Sequence, residues 1–227
     1  MPLNTLPRYL AHYEINAPIS IKASNQFCNI LLLIPNERTM KKLILSALLS
    51  TLLTPAWSAP KLTQTKFSGP DLTPSPAVIC ASATGEVYVG VDMQGSLGKK
   101  GGLGKIVRLI DSNNDGKADK HTVFAKVDNP RGLIAIGNKV YVLHSVFAKD
   151  GKIDNQNLSV FTDANNDGIA DGPAKTLVKN IGNHAPLKSR GTDHSTNGIR
   201  LGVDGWIYIS VGDFGFQKAS GTDGKTL

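Results

Sequence analysis

Three stretches carry one pattern: Gly85-Glu86-Val87-Tyr88, Gly137-Asn138-Lys139-Val140-Tyr141 and Asp204-Gly205-Trp206-Ile207-Tyr208. Each sets a glycine-containing turn before apolar, β-favouring residues, which is the centre of a hairpin. Outward from these turns, short β-type runs alternate with turn residues, and no 3.6-residue period is long enough for a helix. The first set of predicted strands covers 77–81, 86–91, 105–110 and 121–127. The second covers 132–136, 139–144, 158–162 and 175–179, and a third begins with 198–202 and 206–211.

The sets align with one another: Tyr88 and Tyr141 lie 53 residues apart, and Asp111 and Asp163 lie 52 apart. Four strands recurring at a period near 50 residues are the signature of a β-propeller blade. A sandwich supplies similar strands without the self-similarity. The expected fold is therefore all-β, a β-propeller, with about two and a half four-stranded blades at 75–127, 128–181 and an incomplete 192–227. Propellers close with about four to eight blades, so the sequence reads as the front portion of a longer protein.

The 227 residues are 41% hydrophobic and 19% charged, the balance of a globular chain. The net charge of +7 falls to +4 beyond residue 58, with 20 basic and 16 acidic residues and no basic block. Nucleic acid is excluded as an expected partner on that ground. Residues 40–58 read as a secretory signal: Met40-Lys41-Lys42, a twelve-residue apolar run from Leu43 to Thr54, then Pro55-Ala56-Trp57-Ser58 with cleavage near Ser58. The run is too short to span a bilayer. Residues 1–39 read as a mis-started extension and 59–74 as a linker, so the expected location is periplasmic or secreted, with no transmembrane helix in the mature chain. Cys28 falls in the extension, which leaves Cys80, in an apolar run, as a lone core thiol.

Two loops are near copies. Asp111, Asn113, Asp115 and Asp119, with Gly116, match Asp163, Asn165, Asp167 and Asp171, with Gly168. Oxygen side chains at positions 1, 3, 5 and 9 with glycine at 6 suit a Ca²⁺ ion. The same Asn-Asp-Gly residues also make a tight turn without metal, and both readings stand at this stage. The glycine-rich run Gly95–Gly104 has the composition to cradle an anion, but it joins strand to strand without the helix of a phosphate loop. It reads as a blade loop.

The richest stretch is Asp193-His194-Ser195-Thr196-Asn197-Gly198, followed by Gly202, Asp204-Gly205 and Gly212-Asp213-Phe214-Gly215. His194 lies in the loop before the first strand of the third blade and Asp213 just past the second strand. Those loops emerge on one face. A carboxylate fixing the imidazole tautomer makes the other ring nitrogen a general base. Ser195 lacks the strand–turn–helix elbow of a hydrolase nucleophile.

This pattern, D-H-x3-G-x3-G-x-D-G-x-I-Y followed by G-D, resembles the soluble quinoprotein glucose/sorbosone dehydrogenase family of six-bladed propellers. It is more similar still to exported membrane-associated dehydrogenases of planctomycetes and verrucomicrobia that carry a C-terminal haem-binding domain. The similarity covers about residues 74–215 and includes the Asp-rich loops and Asn129-Pro130-Arg131-Gly132. The resemblance implies that His194 abstracts a hydroxyl proton from a sugar or alcohol, that Asp213 orients it, and that a hydride passes to pyrroloquinoline quinone (PQQ). Electrons would then reach a cytochrome-type acceptor, with haem c on a part beyond this sequence.

Arg131, Asn197 and His144 are expected on the same face as candidate cofactor-binding residues, although a lone His such as His144 also fits a structural role. The rival readings are a non-catalytic propeller binding carbohydrate or protein at the cell surface, and a calcium-dependent lactone hydrolase.

Overall fold

The computed structural model describes residues 64–227, apart from Ser96 and Lys99. The extension, the signal segment and Cys28 lie outside the described residues. Four strands, β1 (Pro76–Ala81), β2 (Val87–Val91), β3 (Lys105–Ile110) and β4 (Lys120–Lys126), pair antiparallel in sequence order as the first blade. β5 (Pro130–Ile136), β6 (Lys139–Phe147), β7 (Ile153–Thr162) and β8 (Lys175–Lys179) repeat that meander as the second. β9 (Thr196–Leu201) and β10 (Ile207–Val211) form a hairpin of the third.

The inner strands of the first two blades read as almost unbroken apolar runs because both of their faces are covered. Successive side chains point to opposite faces, and β6 divides its residues accordingly. Val140 and Val142 join Tyr88, Ile106, Phe124 and Phe161 in the core between the first and second blades. Tyr141 and Leu143 join Leu158 and Ile199 in the core between the second and third. Phe124 is the centre of the first interface, edge-on to Tyr88 at 5.2 Å and to Phe161 at 6.3 Å. Neighbouring blades approach closely enough at two inner positions, on β2 and β5, to require glycine. A Cβ on Gly132 would lie 2.4 Å from Ile199, and one on Gly90 would lie 2.9 Å from Pro130.

The remaining face of the first blade, with Val89, Val91, Val107 and Leu109, packs against Phe67 and Leu72 from the stretch read as linker. The Ala118 N–H donates to the Phe67 carbonyl at 2.9 Å, as the Ala170 N–H does to the Phe124 carbonyl at 2.9 Å one blade later. Residues 65–71 therefore stand against the first blade as β4 stands against the second. The sequence agrees, since Thr65-Lys66-Phe67 with Asp71 repeats Thr122-Val123-Phe124 with Asp128.

Two features depart from the expected pattern. A seven-residue helix, α1 (His184–Arg190), precedes the third blade; it buries only Leu187 and so leaves no apolar period to read. The chain after β10 turns back, and β11 (Ser220–Gly221) pairs with β8 at the outer edge of the second blade. No helix among the described residues is long and apolar enough to cross a membrane.

Candidate functional site

The β9–β10 hairpin builds the site by register. Val211 opposes Thr196, so the loops at that end of the hairpin, 191–195 and 212–215, leave the sheet side by side. The Gly212 N–H donates to the Ser195 carbonyl at 2.9 Å and the Phe214 N–H to the His194 carbonyl at 3.1 Å. These bonds set His194 Nδ1 2.8 Å from Asp213 Oδ1. A carboxylate can only accept, so Nδ1 carries the hydrogen and Nε2 holds the lone pair. Nε2 has no hydrogen-bond partner among the described residues.

Both side chains are open to solvent, His194 at 54% exposed and Asp213 at 68%. The hydrogen bond from His194 holds the Asp213 carboxyl below its ordinary range, against desolvation and with the Arg190 charge adding to it. The imidazole stacks on the Phe214 ring at 5.3 Å and 23°. The Arg190 guanidinium lies 4.7 Å from the centre of the same ring. Asn183 Nδ2 donates to the Phe214 carbonyl at 3.0 Å. Sequence reasoning does not single out Phe214 or Arg190. Phe214 follows Asp213 directly, whereas Arg190 sits in the unexpected helix. Ser195 is buried and its hydroxyl is committed to Gln156 Oε1 at 2.7 Å.

The three candidate cofactor residues are placed differently. His144 is half-buried: Nδ1 lies 3.1 Å from the Ser145 carbonyl and Nε2 2.9 Å from Ser159 Oγ, and burial pushes its pKa down. Both ring nitrogens are thus bonded within the protein, which suits the structural role that the sequence also allows. Asn197 turns its amide nitrogen back to the carbonyls of Thr192 and Asp193 at 2.8 and 3.1 Å. Arg131 is held by Asn129 Oδ1 at 3.0 Å and Asp92 Oδ2 at 3.3 Å. Burial lowers its pKa, against the attraction of Asp92 and Asp193. Arg131 and Asn197 do share a groove of about 410 Å³ along the innermost strands, with Ile79, Arg200, Tyr208 and Ser210. With both His144 ring nitrogens bonded and Arg131 and Asn197 tied into the fold, none of the three offers an uncommitted polar group to a quinone, and no step is derived through one.

The Asp-rich loops are hydrogen-bonded turns. Asp111 accepts from the Asp115 and Gly116 N–H groups at 3.2 and 2.8 Å, and Asp163 from Asp167 and Gly168 at 3.1 and 2.9 Å. Asn113 and Asn165 accept from the same Asp115 and Asp167 N–H groups. Asp115 and Asp167 accept from Lys117 and Ile169. Asp119 accepts from Ser112 and Asp171 from Ala164, closing each loop. Among the described residues no group of three or more His, Cys, Asp or Glu is placed to hold a metal ion. All eight side chains take part in hydrogen bonds that close their own turns. The glycine-rich run does cradle an anion, the protein's own Asp128 carboxylate, which accepts from the Gly102, Leu103 and Gly104 N–H groups.

Residues 66–226 match the family described as a domain of unknown function, DUF7133, and the chain belongs to that family. No curated protein matches. A solved structure, a "putative oxidoreductase (glucose dehydrogenase)" from Thermus thermophilus, is similar at 16% identity with a TM-score of 0.41, over 62% of this chain and 38% of that one. The chain thus spans well under half the length of that protein.

Proposed function

We propose that this member of the DUF7133 family supplies the proton-abstracting site of an exported sugar or alcohol dehydrogenase. The single observation that carries the reading is the His194–Asp213 pair, with Nδ1 committed and Nε2 unpartnered. The sequence pattern around it supports the same reading.

In this reading a substrate hydroxyl donates to His194 Nε2, and the proton moves to that nitrogen as the substrate carbon is oxidised. The imidazolium is then stabilised by the Asp213 carboxylate on its other side. Asp213 is fitted to this because the hydrogen bond keeps it ionised. Phe214 holds the ring flat on one side and limits its rotation. These residues account for the proton. The hydride leaving the same carbon would need an acceptor, which the resemblance gives as a quinone and to which no residue here is assigned. Export follows from the signal-like segment at 40–58.

The test is His194→Ala in the complete protein, assayed with a panel of sugars and alcohols and a dye acceptor. Turnover should fall by about two to four orders of magnitude; wild-type turnover would overturn the assignment. The groove holding Arg131, Asn197 and Tyr208 favours one rival, carbohydrate binding without catalysis. That rival expects sugar binding by wild type and by His194→Ala alike, with no turnover in either.

A further inference from the structure

Gln156 lies in β7 of the second blade and is completely buried, at 0% exposed. A primary amide costs free energy to remove from water unless each of its polar atoms is partnered. Here the partners all lie in the third blade, beside His194. Oε1 accepts from Ser195 Oγ at 2.7 Å and from the Thr196 N–H at 3.0 Å, while Nε2 donates to the Thr196 carbonyl at 3.2 Å. The side chain therefore pairs with both backbone groups of Thr196, as a neighbouring strand would. It does so next to Val211, where the β9–β10 register shifts. Thr196 Oγ1 adds a bond to the Ile181 carbonyl at 2.9 Å, and the Ser195 N–H bonds the Thr192 carbonyl at 3.1 Å.

We infer that Gln156 is a positioning residue for His194: its amide ties the Ser195–Thr196 backbone to the second blade and thereby fixes the ring that meets Asp213. The inference rests on reading His194 as the base. An apolar side chain of the same size fills the space but leaves the Thr196 N–H and carbonyl without partners, so the loop must move to hydrate them. Asparagine is one methylene short of the same contacts, and an ionised glutamate has no donor for the Thr196 carbonyl. Glutamine is the side chain that answers a whole peptide unit from this position.

The test compares Gln156→Leu with Leu109→Ala, a cavity variant in the core of the first blade that lowers stability far from the third blade. The readout is the pair of ¹⁵N shifts of the His194 ring, which report its tautomer, followed through a pH titration. Gln156→Leu is expected to lose the Nδ1–H tautomer preference and to change the titration, while Leu109→Ala keeps both. In turnover, Gln156→Leu should lower kcat by about 10- to 100-fold with KM changed by less than about threefold.

Wild-type ring shifts in Gln156→Leu, or the same change in Leu109→Ala, would overturn the inference. Should Gln156→Leu fail to fold, Ser195→Ala removes one of the three bonds and is read by the same shifts. If wild type and His194→Ala turn over substrate alike, the base assignment fails, and the ring shifts still decide whether Gln156 positions His194.

Discussion

A Cβ on Gly212 would stand 2.4 Å from the carbonyl oxygen of His194 and 2.8 Å from its carbonyl carbon. Both are backbone atoms, so no side-chain rotation relieves the contact. The glycine allows the loop that carries Asp213 to lie flat on the loop that carries His194. Gly212→Ala should separate the two loops and lengthen the His194–Asp213 contact, at an overpacking cost of about 1–3 kcal/mol. A lowered melting temperature together with reduced turnover is the expected result. An unchanged melting curve would show that the two loops are not held in this contact.

Glu86 and Arg108 give a stability prediction with a definite sign. Burial raises the Glu86 carboxyl, but hydrogen bonds from Ser82, Thr84 and Arg108 outweigh it and bring its pKa from 4.5 to about 2. The Arg108 contact is 2.8 Å. Because the folded value lies below the unfolded one, the contribution is complete above about pH 5 and fades as pH falls toward 2. Glu86→Gln should cost about 1 kcal/mol near neutral pH, in keeping with a partly exposed ion pair. Urea titrations at pH 7 and pH 3 check this, and the cost must shrink at the lower pH. An equal cost at both would remove ionisation from the account.

Much of this geometry is legible in the sequence, for reasons that can be located. Strands at 105–110 and 175–179 are found where the apolar runs place them. Two covered faces make strands such as β3 and β6 apolar along nearly their whole length. The His194–Asp213 contact is legible because one hairpin joins the pair. β7 is harder to see: it begins at Ile153, ahead of the expected 158, through the polar run Asp154-Asn155-Gln156-Asn157. Those residues are hydrophilic yet bonded inside the fold, and Gln156 shows why hydropathy misses them. The position of His144 on β6 can be read from the chain, whereas its partner Ser159 comes from another strand. The Asp-rich loops carry oxygens at cation-like spacing. Spacing alone does not say whether those oxygens converge on an ion or on the turn's own N–H groups.

Cys80 provides a chemical probe of the first blade. Its thiol is pushed up from 9.0 to about 11 by burial, against a hydrogen bond with the Ala135 backbone. The thiolate is the reactive form, and at pH 8 very little of it is present. In a chain carrying Cys28→Ser, disulfide-exchange labelling of the folded protein should run about 100-fold slower than in denaturant. Rapid labelling without denaturant would mean that β1 does not stay seated against β5.

The second Asp-rich loop should stabilise the protein without metal. Asp163 is buried and accepts from the Asp167 and Gly168 N–H groups, while its own N–H bonds the Asn138 carbonyl. The same loop docks on the first blade through the Ala170 N–H to the Phe124 carbonyl. A Cβ on Gly168 would come within 2.6 Å of Arg108 Nη1, so a guanidinium already packs against the loop. Asp163→Ala leaves two N–H groups of the turn unpaired and loosens that docking, at a cost of about 1–3 kcal/mol. EDTA should leave the wild-type melting temperature unchanged, because the carboxylates are spent on backbone donors. A fall of several degrees with EDTA, restored by added calcium, would show the loops rearranging around an ion. Asp163→Ala would then have to abolish that calcium response as well as lower stability.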